Sequence, residues 1–250
     1  MSLKRSIYLN TLLACLLFTA CSTHNYLPAL TSADISYLPK PLSTDPVKTA
    51  NYISGTYINA SGATNGSDVL SIGEFNFSHA QTFEHVNLAY GGYAFGGTYQ
   101  NKTFDATQPY YFDSKSFTGV GARFSANYYE TEGRTEHRLI GVEASYSREF
   151  GDYVDYRKLV DGKLGFAADP RAGLLTVGLT NEIISHSEKY PLFQYGGRLF
   201  VGHNFANDPN GTSILGLINQ VSVSGFVKIN KVFGVLEFSS AVQFGVGYQF

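Results

Sequence analysis

Six histidines, His24, His79, His85, His137, His186 and His203, are the side chains best suited to metal or proton chemistry. No two of them have the close spacing of a zinc-binding helix or strand pair. Gly91 to Gly97 is glycine-rich but lacks the Lys and Ser/Thr that a phosphate-binding loop needs. The residues therefore assign no metal, no cofactor and no catalytic group. Asn59, Asn65, Asn76, Asn101 and Asn210 each begin an N-x-Ser/Thr triplet, which reads as turn and loop chemistry. A different set shares a pattern: Glu74, Arg123, Glu143, Glu182, Arg198, Lys228 and Glu237 each fall on the polar side of an alternating segment. Charges so placed are expected to pair with one another across a closed interior, because pairing offsets the cost of leaving water. A polar plug is the first reading of that set, and an ion-lined channel or proton relay the second.

One stretch invites a catalytic reading. His203-Asn204 followed by Pro209-Asn210-Gly211 resembles the surroundings of the catalytic histidine in the lipid A deacylases, small outer-membrane barrels that use His, Ser and Glu. Asn204 and Phe205 stand where that family carries its nucleophile. Ser187 and Glu188 follow His186, but adjacent residues on a strand point to opposite faces. A deacylase-like hydrolase thus ranks behind a non-enzymatic protein.

The elements that must position these residues are strands. From about Thr49 onward the apolar pattern has period two, and nowhere does a run of ten or more residues favour a helix. The clearest case is Thr118 to Tyr128, where Val120, Ala122, Phe124, Ala126 and Tyr128 share one face and Gly119, Gly121, Arg123, Ser125 and Asn127 the other. The same alternation recurs at 140–146, 175–180, 195–201 and 221–228. Segments 49–60, 69–78, 84–91, 93–100 and 231–250 bring the expected count to about ten, with eight as the runner-up if Gly91-Gly92 lies inside one long strand. Residues 152–160 are expected to form a short helix in a loop. Turn-rich connectors at 62–68, 101–109, 132–134 and 206–213 imply an antiparallel meander.

The small polar face decides how the meander is used. A water-exposed exterior would carry Lys, Glu and Thr, whereas here Gly, Ser, Thr and Asn dominate, which suits the crowded inside of a narrow barrel. Only 15% of residues are charged while 15% are aromatic, so something other than water is expected to solvate part of the surface. The formal charge of -2, without a basic run, argues against nucleic acid as a partner. The expected architecture is an all-β, closed, up-and-down transmembrane β-barrel over residues 49–250. A tethered soluble barrel of the lipocalin kind, binding an apolar ligand inside, is the alternative.

Both ends carry resemblances. Val242, Phe244, Val246, Tyr248 and Phe250 alternate with polar and glycine residues up to the last position. This resembles the C-terminal signal of outer-membrane barrels, which implies recognition of Phe244, Tyr248 and Phe250 by the barrel-assembly machinery and contact with outer-membrane lipids. At the other end, Lys4 and Arg5 precede an apolar run closed by Leu17-Phe18-Thr19-Ala20-Cys21, which resembles the lipobox of bacterial lipoproteins. That implies a signal peptide over residues 1–20 and acylation of Cys21. No acidic cluster follows Cys21, which favours a lipid in the periplasmic leaflet. Pro28, Pro39, Pro41 and Pro46 then make residues 21–48 read as an extended tether.

Overall fold

The computed structural model describes residues 24–62, 68–102, 106–107, 109–190, 192–206 and 217–250. Cys21, Asn65, Pro209, Asn210 and Gly211 lie outside them. The elements are β1 (His24–Tyr26), β2 (Thr49–Ser61), β3 (Val69–Thr82), β4 (Val86–Gln100), β5 (Ser114–Glu132), β6 (Thr135–Phe150), α1 (Asp152–Val160), β7 (Phe166–Ala168), β8 (Gly173–His186), β9 (Phe193–Asn204), β10 (Gln220–Ile229), β11 (Val232–Phe238) and β12 (Ala241–Gln249).

Ten of these strands form a closed barrel in the order β10-β11-β12-β2-β3-β4-β5-β6-β8-β9. Every neighbouring pair is antiparallel, and β12 closes on β2 in a register that sets Phe244 opposite Tyr57 and Tyr248 opposite Ile53. Closure leaves the barrel no sheet edge, so each of its ten strands finds partners on both sides. Two register shifts, near Tyr128/Glu130 and Arg138/Gly141, interrupt the ladder on the two flanks of the hairpin at Gly133.

The total of ten is reached by a different route from the one the sequence suggests. The expected strands 84–91 and 93–100 merge into the single strand β4, which begins at Val86, with Gly91 opposite Ser78 and Gly92 opposite Phe77. A Cβ on Gly91 would lie 2.8 Å from Ser78 Cα, so the glycine permits a close backbone approach rather than a turn. The missing strand is recovered at the other end, where residues 231–250 fold back at Ser239 and Ser240 into β11 and β12.

Connections at one rim are mostly short: residues 83–85, 133–134, 187–192 and 230–231. Thr49 and Phe250 lie at this turn end, where Asn51 and Phe250 exchange backbone hydrogen bonds of 3.1 and 2.9 Å. At the opposite, loop end lie the end of β2 and start of β3, the end of β4 and start of β5, the end of β9 and start of β10, the 151–172 loop, and the short link at 239–240. The 151–172 loop contains α1 and β7 and folds over the rim.

The outward face is apolar. Val120, Phe124, Val142 and Leu199 are exposed to 55, 44, 46 and 45% on the wall's exterior, and Val177, Leu179, Val223, Val227, Phe244 and Val246 join them. A soluble ligand-binding barrel would turn such residues inward; this one has the reverse sidedness.

Residues 26–42 do not form a solvated tether. They run through the barrel interior, with Tyr26, Leu30, Ala33, Ile35, Leu38 and Leu42 buried. The path is not extended throughout: Pro28 to Ala33 coil into turns, with the Thr31 and Ala33 amides donating to the Pro28 and Leu30 carbonyls at 3.0 and 2.8 Å, and the apolar side chains are removed from water instead of being displayed to it.

Candidate functional site: the filled lumen

Every second residue of the wall points inward, and successive turns of the N-terminal segment meet successive layers of that wall. Near the loop end, the Glu149 carboxylate accepts the Ala29 amide at 3.0 Å and pairs with Arg157 of α1 at 2.5 Å. Arg157 also donates to the Asp169 carbonyl at 2.8 Å, so the capping helix and the plug share one anchor.

The next layer is built on Arg123. Its guanidinium makes a fork to Glu74 at 2.7 and 2.8 Å, reaches Asn76 Oδ1 at 2.7 Å, and donates from Nε to the Asp34 carbonyl at 2.8 Å. It also stacks over the Tyr93 ring, 3.8 Å from the centroid, while Tyr93 Oη donates to the Asp34 carboxylate at 2.9 Å. Gly121 makes room for that ring, since a Cβ there would lie 2.6 Å from Tyr93 Oη. This planar, bidentate arrangement is one that Arg supports and Lys does not.

Below it, Arg198 joins Glu143 and Glu237, both at 2.7 Å, and donates to Ser224 at 3.1 Å. The segment contributes Tyr37, stacked on Phe226 at 4.9 Å, and Ser36, which donates to Gln243 at 3.0 Å. Arg138 then pairs with Glu136 and Glu182 at 2.8 Å each, with Lys40 3.9 Å from Glu182 and its carbonyl facing Arg138. At the turn end Asp45 lies 3.8 Å from Lys228 and accepts from Gln194 at 2.8 Å, while Ser43 N donates to Glu136 at 2.6 Å.

The structure thus gathers the seven charged residues expected inside, but in four separate layers rather than one network. Glu74 and Arg123 form one, Glu143, Arg198 and Glu237 a second, Glu182 a third, and Lys228 a fourth. The partners that complete them were not legible by alternation. Arg138 and Glu136 lie beyond the register shift, where Leu139 and Ile140 both face outward and reverse the parity read from 140–146. Asp34, Lys40 and Asp45 belong to the segment read as a tether. The signal that could have found them is the recurrence of Leu30, Ile35, Tyr37, Leu38 and Leu42 in a stretch supposed to be solvated.

The loop end is sealed by rings. Tyr26 packs edge-on against Tyr156 at 5.2 Å, Tyr99 stacks on Tyr153 at 4.7 Å, and Phe112 meets Tyr156 at 4.4 Å. Burial pushes the Tyr156 hydroxyl up to about 12, and burial likewise lowers the basicity of His24.

Among the described residues that the deacylase reading singled out, His203, His186, Ser187 and Glu188, no catalytic triad assembles. His203 faces outward at the rim with its ring 4.8 Å from Phe205. His186 meets Thr44 at 2.9 Å, whereas Ser187 Oγ accepts from the Tyr190 amide at 3.3 Å and Glu188 pairs with Arg134 at 3.6 Å. The residues of the terminal signal, Phe244, Tyr248 and Phe250, lie exposed on the outer wall of β12 and just after it.

The sequence matches no family model and no curated protein. Among solved structures, the chain is similar to an outer membrane channel from Pseudomonas putida F1, at 10% identity and a TM-score of 0.44, over 86% of this chain and 100% of that one. Neisserial surface protein A is similar at 14% identity and a TM-score of 0.35, over 81% of this chain and 97% of that one. The transport unit of the autotransporter AIDA-I from Escherichia coli follows at 9% and 0.39, over 88% and 95%. At these scores the likeness is one of general shape. What the fold does depends on the apolar exterior and the filled interior.

Proposed function

We propose that the protein is an integral outer-membrane β-barrel, held closed by its own N-terminal segment, whose role is structural or a surface interaction made by its loops. An apolar outer wall on a closed barrel suits hydrocarbon, where every backbone group must be satisfied internally. The alternation of Phe244, Val246 and Tyr248 on the outer wall of β12 supports delivery by the outer-membrane assembly machinery, and the Leu17 to Cys21 pattern supports an acylated Cys21. The single observation that carries the closed state is the course of residues 26–42 through the lumen, bonded to wall residues of β5, β6 and β12.

The experiment is conductance. The full chain refolded into planar bilayers is expected to insert, to show a heat-dependent shift in gel mobility, and to give no steady ion current. Stable open channels from the intact chain would contradict the closed reading and restore the pore. A Cys21→Ser variant that stays with the membrane in carbonate washes would show that the wall, not a lipid, holds the protein there.

A further inference from the structure

The N-terminal segment has a direction. His24 donates its amide to the Gly165 carbonyl at 2.9 Å, Asp169 donates to the Tyr26 carbonyl at 3.0 Å, and Tyr153 Oη donates to the Leu27 carbonyl at 2.9 Å. β1 pairs in parallel with β7. All four contacts fix the start of the segment to the 151–172 loop. Its far end is fixed just as firmly to the opposite rim, where Thr82 donates to the Lys48 carbonyl at 2.8 Å and to the Pro41 carbonyl at 2.7 Å. The chain therefore enters the lumen at the loop end, leaves it at the turn end, and only then begins β2.

Outer-membrane barrels keep short turns on the periplasmic side and longer loops outside. We infer that the mature N-terminus of this protein is displayed on the outer face of the membrane, so that a lipid on Cys21 inserts into the outer leaflet. This rests on the outer-membrane reading above. Only Ser22 and Thr23 stand between Cys21 and His24, and the three steps of a fully extended chain cover at most about 11 Å. The apolar band of such a barrel is about 25 Å tall. A Cys21 attached to His24 at the loop end cannot reach the leaflet at the turn end, so the periplasmic placement favoured by the missing acidic cluster gives way to the opposite one. The segment then ties an outer-leaflet lipid to the periplasmic rim through the interior of the wall.

The test compares three positions in the full chain on intact cells. One epitope is inserted between Thr23 and His24, one between Ala106 and Thr107 in a long loop, and one between Glu188 and Lys189 in a short turn. Antibody is expected to label the first two without permeabilisation and the third only after it. If the loop epitope labels and the N-terminal one needs permeabilisation, the threading inference is overturned while the barrel's orientation stands. If the turn epitope labels and the loop epitope does not, the orientation itself is wrong and the outward display falls with it. A Thr23→Cys variant probed with a membrane-impermeant maleimide repeats the measurement without an insertion. Labelling on intact cells is expected there, and protection that disappears on permeabilisation would overturn the inference independently of any disturbance by the epitope.

Discussion

At the scale of single residues, Arg123 is the most heavily bonded cation of the lumen. It satisfies Glu74 and Asn76 on β3 and the Asp34 carbonyl on the plug at once. Replacing one partner of a buried pair strands the other, which costs about 3 to 5 kcal/mol. Arg123→Met is therefore expected to destabilise the barrel by that amount in urea unfolding from detergent. The double variant Arg123→Met with Glu74→Met should recover part of the loss, because no carboxylate is then left unpaired; a double variant weaker than the sum of both singles would contradict the pairing. On the other face, Val142 points outward near the middle of β6, and Val142→Arg is expected to cost about 2 to 4 kcal/mol in folding into lipid. Ser145→Ala on the inner face removes a hydrogen bond of 2.9 Å to Tyr93 and should cost about 1 kcal/mol. Equal tolerance at the two positions would sink the assignment of faces.

Elements show what alternation can and cannot reveal. Strand faces were readable from β5 because its glycine or polar inner residues and apolar outer residues alternate without a break from Gly119 to Tyr128. The parity of Arg138 was not readable, because a bulge leaves no compositional mark: Leu139 and Ile140 look like any buried pair. Gly91-Gly92 was ambiguous for a related reason, since the same dipeptide serves a hairpin or a close approach between strands. The structure separates the two glycines. Gly91 faces inward, where a Cβ meets the Ser78 backbone, whereas a Cβ on Gly92 has its nearest neighbour, the Gly121 carbonyl oxygen, 3.6 Å away. Gly91→Ala is thus expected to cost about 1 to 3 kcal/mol through overpacking. Gly92→Ala, with an ordinary contact, should be close to neutral in the same refolding assay. A hairpin at this place would instead make both positions sensitive, since a two-residue turn of that type needs positive φ at each.

The whole molecule is a barrel closed around its own chain, and the strands are expected to close around the segment rather than admit it afterwards. The recurring apolar residues of the plug mark it for burial, but its place in the lumen was not legible, because its polar groups meet partners far along the chain: Ala29 with Glu149, Asp34 with Arg123, Ser36 with Gln243. Such contacts close long loops and have no local signature. They also fill the interior so fully that Tyr37 lies against Phe226 on one side and the Arg198 guanidinium on another. An extended chain carrying Tyr26 and Tyr37 has to pass these inward side chains to enter a closed wall of this girth. A variant lacking residues 24–48, once shown to refold by its heat-shifted mobility, is expected to conduct. A synthetic peptide of residues 24–48 present during refolding should silence it, because the strands then close around the peptide. The same peptide added to the finished barrel should leave the current unchanged over the time in which co-folding acts. Immediate block from the loop side would show instead that the segment exchanges freely with its lumen, and the plug would be a gate rather than a part of the wall's interior.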